Sequence, residues 1–449
     1  MASAPRQRLR IRGGLPLRGA VALPCDLPIA RVALLLAALA EGETQLAGPL
    51  DSAQLGALIA ALRGLGVAID ASEQRTRITG VGLRGFALPA GAIDCGRSLD
   101  VLALFAGALC GQAFGTRLTL SANARARSES LEHLVGALQA RGVPLRASGR
   151  DASPPLAFAP RVLGEPLRAI ECSLPEPDPR AKAAVLLSGL VADGPTAVTE
   201  PLLSADHVER MLSACGVGLK RAATMTALAP VAALSALGAI ALPGCCVLGS
   251  AIACAAAVIP GSRIALHDVA TNPTRSGALD ALRLFGARVL FASKGERAGH
   301  EPIAEIQIQH GALRGGVLSA ELALHAGDAL PCLALLGARA LRGAGLLDAE
   351  AYAPEGAAEW PALAALVRAF GAEAQVAGAG LEVAPAAVLR GANVDAQQDD
   401  RLALCAVLFG LAADGETTVD HADTLVQDYP ALLPLLQELG AEIELEPLA

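Results

Sequence analysis

Apolar residues recur along the chain in six copies of one local pattern. In each copy, apolar positions at helical spacing lead to a glycine, and a strand-like segment follows it. The six stretches are ALIAALRGLGVAI, HLVGALQARGVPL, VERMLSACGVGL, LDALRLFGARVLF, LAALVRAFGAEAQV and LLPLLQELGAEIEL, with glycines at Gly66, Gly142, Gly216, Gly286, Gly371 and Gly440. A glycine at this place is typical of a helix C-terminus in the left-handed region, which other residues adopt only at a cost. The near-regular spacing indicates a repeat architecture.

A second helix is predicted before each of these stretches, and it is apolar nearly all round. The six are RVALLLAALAEG, VLALFAGALCG, AKAAVLLSGLVADG, SAIACAAAVIPG, CLALLGARALRG and LALCAVLFGLAADG. Helices of this kind are buried rather than amphipathic. Strand-like segments (TQLAG, TRLTLS, TAVTEP and RIALHDV) follow four of them. Each unit therefore predicts a buried helix, a strand, an outer helix and a strand.

The order of these elements predicts an α/β protein of two globular domains with three units in each. A doubly wound sheet alternates one strand with one helix, which does not fit. A solenoid does not fit either, because the buried helices need cover on all sides. We expect one domain at residues 20–237 and a second, discontinuous domain at residues 1–19 and 238–449.

Composition and charge limit the kinds of partner that the protein can bind. The chain has 449 residues, a net charge of -8 and a pI of about 5.5, so no basic surface is expected to hold nucleic acid. Residues 222–262 carry no charge, but Pro230, Pro243 and Pro260 interrupt them, which disfavours a membrane helix. The N-terminus lacks the apolar run of a secretory signal. We expect a cytoplasmic protein, a monomer or a simple homo-oligomer, whose partner is a small molecule.

The ten cysteines have no zinc-type spacing, so neither a metal nor disulfides are expected. Cys25, Cys95, Cys245 and Cys246 lie beside the motifs described next. A nucleophilic thiol is one interpretation, and small buried filler is the other, favoured because no histidine stands at suggestive spacing.

Five segments in order resemble 5-enolpyruvylshikimate-3-phosphate synthases. They are LRGAVALPCDLPIARVALLLAALAEGETQLAGPLDS, TAVTEPLLSADHVERML, ALHDVATNPTRSGALDALRLFGA, GDALPCLALLGARALRG and DDRLALCAVLFGLAADGETTV. The resemblance runs the whole length. It implies an inverse α/β barrel in each domain and an active-site cleft between the domains. It also implies condensation of shikimate 3-phosphate with phosphoenolpyruvate, without a metal or an organic cofactor.

The family's cationic site residues are mostly replaced here. Where the resemblance implies Lys, the chain has Leu27, and where it implies the arginine that binds phosphoenolpyruvate it has Asp100. Other positions that the resemblance places at the substrate are Glu129, Asp178 and Arg180. Losing one charge-assisted hydrogen bond costs roughly 1.5–3 kcal/mol. Several such losses exceed the roughly 4–8 kcal/mol with which a millimolar-to-micromolar substrate binds. We therefore expect the family's reaction to be negligible.

Five site residues of the family remain. The resemblance assigns proton transfer to Asp328 and Glu355, and substrate contacts to Arg31, Lys182 and Arg401. Asp328 and Glu355 form an acid–base pair in one interpretation and are structural remnants in the other. Arg31 and Arg401 either bind an anionic group of a new substrate or pair with the new acids Asp100 and Asp178.

Other local predictions follow from single motifs. The acids at positions where the resemblance implies Arg or Ser (Asp100, Glu129 and Asp178) either accept a cationic substrate or a metal, or reflect drift. His207 is expected to be structural. Asn272 and Pro273 of the NPTR segment are expected to begin a helix.

Three functions remain open. The first is an enzyme redirected to proton transfer, cyclisation, isomerisation or elimination on a less anionic small molecule. The second is a 3-phosphoshikimate 1-carboxyvinyltransferase, and the third is an inactive binding or scaffold homologue.

Overall fold

The computed structural model describes residues 7–120, 130–162, 165–346, 360–378 and 380–448. The chain forms two compact units. Unit I comprises residues 27–242 and 297–301. Unit II comprises residues 1–26, 243–296 and 302–449. In the described residues, strands form six four-stranded sheets of one design, and in each sheet an edge strand runs parallel to its neighbour.

Unit I contains three of these sheets, with elements numbered here in chain order. In order of neighbours, the strands are β14 (Gly238–Ala241), β3 (Glu41–Ala47), β5 (Arg75–Val81) and β4 (Ala68–Ala71); β6 (Ile93–Asp94), β7 (Thr116–Thr119), β9 (Leu156–Phe158) and β8 (Leu145–Ala147); and β10 (Ile170–Ser173), β11 (Thr196–Thr199), β13 (Met225–Leu228) and β12 (Leu219–Ala222). The helices are α1 (Leu27–Leu39), α2 (Ala53–Gly64), α3 (Leu99–Leu109), α4 (Glu132–Ala140), α5 (Pro179–Gly189) and α6 (His207–Ala214).

Unit II contains the other three sheets. In order of neighbours, the strands are β2 (Arg18–Ala22), β15 (Arg263–Ala270), β17 (Glu301–Gln309) and β16 (Arg288–Arg297); β18 (Gly316–Val317), β19 (Ala344–Leu346), β21 (Gly380–Val383) and β20 (Ala374–Ala377); and β22 (Asn393–Asp395), β23 (Glu416–Asp420), β1 (Gln7–Arg12) and β24 (Glu442–Pro447). The helices are α7 (Cys246–Val258), α8 (Gly277–Leu284), α9 (Ala320–Ala326), α10 (Leu333–Arg339), α11 (Trp360–Ala369), α12 (Asp400–Ala412), α13 (Asp423–Asp428) and α14 (Leu432–Glu438).

The six apolar helices form the cores, as their composition predicts. In unit I, α1 and α5 pack on α3; in unit II, α10 and α12 pack on α7. Every residue of α7 is buried. Gly107 allows the close approach of α3 and α5, because a Cβ there would lie 2.8 Å from the Cβ of Leu187. With Ala, Leu and Val at the contacts, burial of aliphatic surface is the main stabilising term.

The glycines after the six outer helices all have positive φ, between +83° and +94°. The predicted left-handed helix ends are therefore confirmed. A side chain at these positions would strain the backbone, which explains why glycine recurs there in six otherwise different stretches.

Two strands belong to a different unit from the helix that follows each of them in the chain. Strand β2 precedes α1 in the chain but pairs with β15 in unit II, and β14 precedes α7 but pairs with β3 in unit I. The chain therefore passes from one unit to the other after residues 26 and 242, whereas the repeat pattern predicts boundaries after residues 19 and 237. The pairing partner of a strand is long-range information that the local pattern does not contain.

The short segment 297–301 belongs to unit I and is held there by two contacts. Glu301 Oε1 lies 2.6 Å from His207 Nδ1, and both side chains are buried. Arg210 Nη1 donates to the carbonyl oxygen of His300 at 3.0 Å. His207 therefore has the structural position expected of it.

One helical stretch in the described ranges, Ala320–Arg339, has the length and hydropathy of a membrane span. It consists of α9, a 3₁₀ turn at Gly327–Cys332 and α10. Pro331 lies inside it, and its α10 part packs on α7. The stretch is 61% buried, which is typical of the core helix of a globular protein.

Candidate active site

In unit I, the N-termini of the three buried helices present charged side chains. Arg31 lies near the start of α1, Asp100 in the first turn of α3, and Arg180 in the first turn of α5. Ser98 caps α3 by accepting a hydrogen bond from Val101 N at 3.3 Å. Helix N-termini favour anions because their amide groups carry partial positive charge. This end of the unit therefore has the electrostatics of an anion site.

A carboxylate of the chain itself lies in this position. Asp100 Oδ2 is 2.7 Å from Arg31 Nη1, and Asp100 Oδ1 is 2.9 Å from Arg180 Nε. Arg31 Nη2 also donates to Gln54 Oε1. Both guanidinium groups are thus engaged by one acid, which matches the alternative in which Arg31 pairs with Asp100. Their predicted contacts with substrate stay predictions.

Asp178 acts as the N-cap of α5. Its Oδ1 accepts hydrogen bonds from Arg180 N at 3.0 Å and Ala181 N at 2.9 Å, and its Oδ2 lies 3.6 Å from His133 Nδ1. In the part of the chain that the structure describes, no group of three or more His, Cys, Asp or Glu side chains could hold a metal ion. A carboxylate at this cap supplies negative charge that a bound anion would otherwise supply.

Lys182 lies in the core of unit I, between two glutamates. Its Nζ is 2.9 Å from Glu200 Oε2 and 3.1 Å from Glu209 Oε1, and all three side chains are at most 2% exposed. Burial lowers the pKa of Lys182, but Glu209 and Glu200 outweigh it and the net pKa is raised. Burial also raises the pKa of Glu209. The ammonium group is therefore enclosed by two buried carboxyl groups of the same unit. Substrate contact by Lys182 stays a prediction.

In unit II, carboxylates gather at the starts of the buried helices. Asp26 Oδ2 accepts from Cys246 N at 3.0 Å at the start of α7, and Asp399 caps α12. Asp328, in the 3₁₀ turn before α10, is about half exposed and lies 3.9 Å from Arg401 Nη1. Arg401 is therefore next to the acid that the resemblance assigns to proton transfer.

Among these carboxyl groups of unit II, Asp400 in the first turn of α12 has a shifted pKa. Burial raises its pKa to about 6. The carboxylates of Asp328, Asp428 and Asp399 add to the increase, and Arg401 opposes it. A carboxyl group that titrates near neutral pH can both donate and accept a proton under working conditions. The sequence shows one unusual feature here, because Asp400 stands at the histidine position of the DHR-like motif. It does not show that the carboxyl group is partly buried.

Asp400→Asn is expected to increase the free energy of unfolding by about 1–3 kcal/mol at pH 7.5. Above pH 6 the folded protein has to hold this carboxyl group charged in a partly buried setting near other carboxylates, whereas asparagine is neutral. The increase should fall to about half at pH 5, because the folded state then keeps a proton that the unfolded state has partly lost. Urea denaturation at both pH values measures this difference. Glu73→Gln, in an exposed turn, is the matched control, and an effect of Asp400→Asn that does not change with pH would contradict the assignment.

The ten cysteines all lie in the described ranges and are free there. Burial raises the pKa of Cys246 to about 12 and raises the pKa of Cys95 and of Cys245 as well. These thiols are protonated at neutral pH, which favours the buried-filler interpretation. Two predicted site residues, Glu129 and Glu355, lie outside the residues that the structure describes.

The prediction for the NPTR segment is wrong in its detail. Helix α8 begins at Gly277, and Asn272 instead closes a separate turn by accepting from Thr274 N at 3.0 Å. A side-chain cap can stabilise an isolated turn as well as a helix, so composition alone did not separate the two. The turn brings the side chain of Arg275 close to Gly327, the residue before Asp328. Its Nε lies 3.9 Å from where a Cβ would stand if residue 327 were not glycine. Sequence reasoning did not select Arg275 as a site residue.

Comparison with known proteins agrees with this architecture. A family model described as EPSP synthase (3-phosphoshikimate 1-carboxyvinyltransferase) matches residues 11–436. A protein of Acidithiobacillus ferrooxidans named 3-phosphoshikimate 1-carboxyvinyltransferase is 32% identical over 97% of this chain and 99% of its own length. One of the same name from Herpetosiphon aurantiacus is 33% identical over 92% of this chain and 95% of its own.

Solved structures give the same result for the fold. EPSP synthase from Acinetobacter baumannii superposes with a TM-score of 0.84 at 26% identity, covering 98% of this chain and all of that one. The enolpyruvyl transferase NikO from Streptomyces tendae reaches 0.71 at 19% identity, covering 99% of this chain and all of that one, which concerns the fold alone. The chain has the two-unit α/β fold of the enolpyruvyl transferases. It belongs to the EPSP synthase family.

Proposed function

We propose that the chain is an EPSP synthase-family enzyme redirected to a less anionic small molecule. Its reaction is a proton transfer coupled to isomerisation, cyclisation or elimination, and no cofactor is needed. The observation that supports this most is the position of Asp100, whose two oxygens engage Arg31 and Arg180. The cations that would bind a substrate phosphate or carboxylate are neutralised by the chain itself.

Electrostatics favours this direction of change. A dianionic group at the N-termini of α3 and α5 would lie close to the carboxylates of Asp100 and Asp178. The nearby cations Arg31 and Arg180 are already engaged by Asp100. Displacing Asp100 from two arginines costs roughly the 1.5–3 kcal/mol of each charge-assisted hydrogen bond. A neutral or cationic group meets no such penalty and gains from the acids.

Proton transfer is assigned to Asp328 and Glu355, with Asp400 as a further carboxyl group in unit II. The pKa of Asp400 is raised first by burial and then by its neighbour Asp328, so that this carboxyl group holds its proton to a higher pH than an exposed aspartate does. A carboxyl group whose pKa is raised towards neutrality can donate and accept a proton in one reaction. Arg401, beside Asp328, can hold a single carboxylate or hydroxyl of the substrate.

Asp100→Asn is expected to strengthen the binding of shikimate 3-phosphate at least about tenfold, because it releases one or two charge-assisted hydrogen bonds for the ligand. Isothermal titration calorimetry measures the change. Binding of unphosphorylated shikimate should change much less, since it lacks the phosphate that competes with Asp100.

Asp70→Asn, at an exposed position on β4 of the same unit, is the matched carboxylate control. Equal binding of shikimate 3-phosphate by the wild type and Asp100→Asn would mean that Asp100 does not exclude anions. Tight binding by the wild type would contradict the proposal itself.

A second candidate is the activity named for the relatives, 3-phosphoshikimate 1-carboxyvinyltransferase. The observation that favours it is the full-length similarity to proteins of that name, together with the retained Arg31, Lys182, Asp328 and Arg401. It requires Arg31 and Arg180 to leave Asp100 when substrate arrives. The cytoplasmic location expected from the sequence fits both candidates and stays a prediction.

A further inference from the structure

Unit II contains a surface pocket of about 400 Å³ that the candidate active site does not use. Its lining consists of Arg18, Gly261, Ser262, Arg263, Gln309 and His310. The pocket lies just beyond the C-terminus of α7, whereas Asp26 lies at the N-terminus of that helix. Thirteen helical residues separate these ends by about 20 Å. The pocket is therefore a separate place on unit II.

Two arginines are held side by side in this pocket by the sheet. Arg263 on β15 is the register partner of Arg18 on β2, and it is also the register partner of Gln309 on β17. Residues in direct register point to the same face of a sheet, and like charges placed directly opposite destabilise it. The chain keeps this unfavourable pair although its net charge is -8.

Two further arginines, Arg339 and Arg288, lie near the lining residue His310. His310 is partly buried, and its pKa is lowered first by burial and then by these two arginines. The loop after α7 partners one of the cations, since Arg18 Nε donates to the carbonyl oxygen of Gly261 at 3.3 Å. It does not account for Arg263. The lining contains no carboxylate, and among the described residues none forms an ion pair with Arg18 or Arg263.

We propose that this pocket binds a small oxyanion with two or more negative charges, such as a phosphate ester or a polycarboxylate. Arg18 and Arg263 supply two guanidinium forks on one face, the geometry that suits bidentate contacts to phosphate and carboxylate oxygens. The amide of Gln309 and the imidazole of His310 add neutral donors at the edge. A bound anion would remove the repulsion between the two arginines.

The test is calorimetry on the full chain with pyrophosphate and, separately, citrate. We expect at least one of them to bind, and the double variant Arg18→Gln/Arg263→Gln to weaken it at least about tenfold, since two charge-assisted contacts are lost. Arg117→Gln, at an exposed position on β7 of unit I, is the matched control and should bind as the wild type does. The anion that binds more tightly identifies the phosphate or the carboxylate class.

A further variant, Arg180→Gln, separates this pocket from the candidate active site. Loss of anion binding in Arg180→Gln but not in the double variant would place the anion in unit I and overturn the proposal. Failure of both anions to bind the wild type would also overturn it. Thermal melting at low ionic strength gives an independent check: removing like-charge repulsion should leave the melting temperature of the double variant unchanged or higher, whereas a purely structural role for the arginines would lower it.

Discussion

Lys182→Met is expected to lower the free energy of unfolding by about 3–5 kcal/mol, because it leaves Glu200 and Glu209 buried without their cation. Both glutamates are at most 1% exposed, so water cannot replace the ammonium group. Neither oxygen of Glu209 has another hydrogen-bond partner in the described residues. Urea denaturation of unit I, followed by circular dichroism, measures the loss.

The control is Lys220→Met, at an exposed position on β12 of the same unit, where the change should stay within about 0.5 kcal/mol. The triple variant Lys182→Met/Glu200→Gln/Glu209→Gln should recover part of the loss, since it removes the buried charges together. If Lys182→Met unfolds no more easily than Lys220→Met, the buried ion group does not stabilise unit I. The survival of this lysine would then have to be explained by contact with substrate.

This result bears on how retained family residues are interpreted. Lys182 stands at a position that the resemblance assigns to substrate contact, and the sequence alone therefore predicts a binding role. The structure places its ammonium group between two buried glutamates instead. Burial and pairing over distances of about twenty residues are tertiary facts, and the motif around Lys182 does not contain them.

Much of the fold followed from local physics. The six apolar helices and the glycines after the outer helices were predictable because burial and positive φ each restrict residue type strongly. The sheets that β2 and β14 join were not, because both strands are short and their partners lie more than a hundred residues away. Local composition likewise could not tell that Asn272 closes a turn.

The candidate site divides in the same way. The sequence shows that Asp100 stands where the resemblance implies an arginine, but that its two oxygens engage Arg31 and Arg180 is visible only in the structure. The raised pKa of Asp400 depends first on burial and then on Asp328 and Asp428, which come from different elements of unit II. Sequence identifies which charges changed, and the structure shows which of them neutralise one another.

The central claim is that the chain cannot use the family's two anionic substrates, because its own acids engage the cations that would bind them. Phosphorus NMR of phosphate release from shikimate 3-phosphate and phosphoenolpyruvate tests it most directly, with the Acidithiobacillus ferrooxidans relative run alongside at equal concentration. We expect release at least about a hundredfold slower than in that relative, which corresponds to about 2.7 kcal/mol of lost transition-state stabilisation. Turnover within a factor of about a hundred would contradict the claim and establish the carboxyvinyltransferase activity.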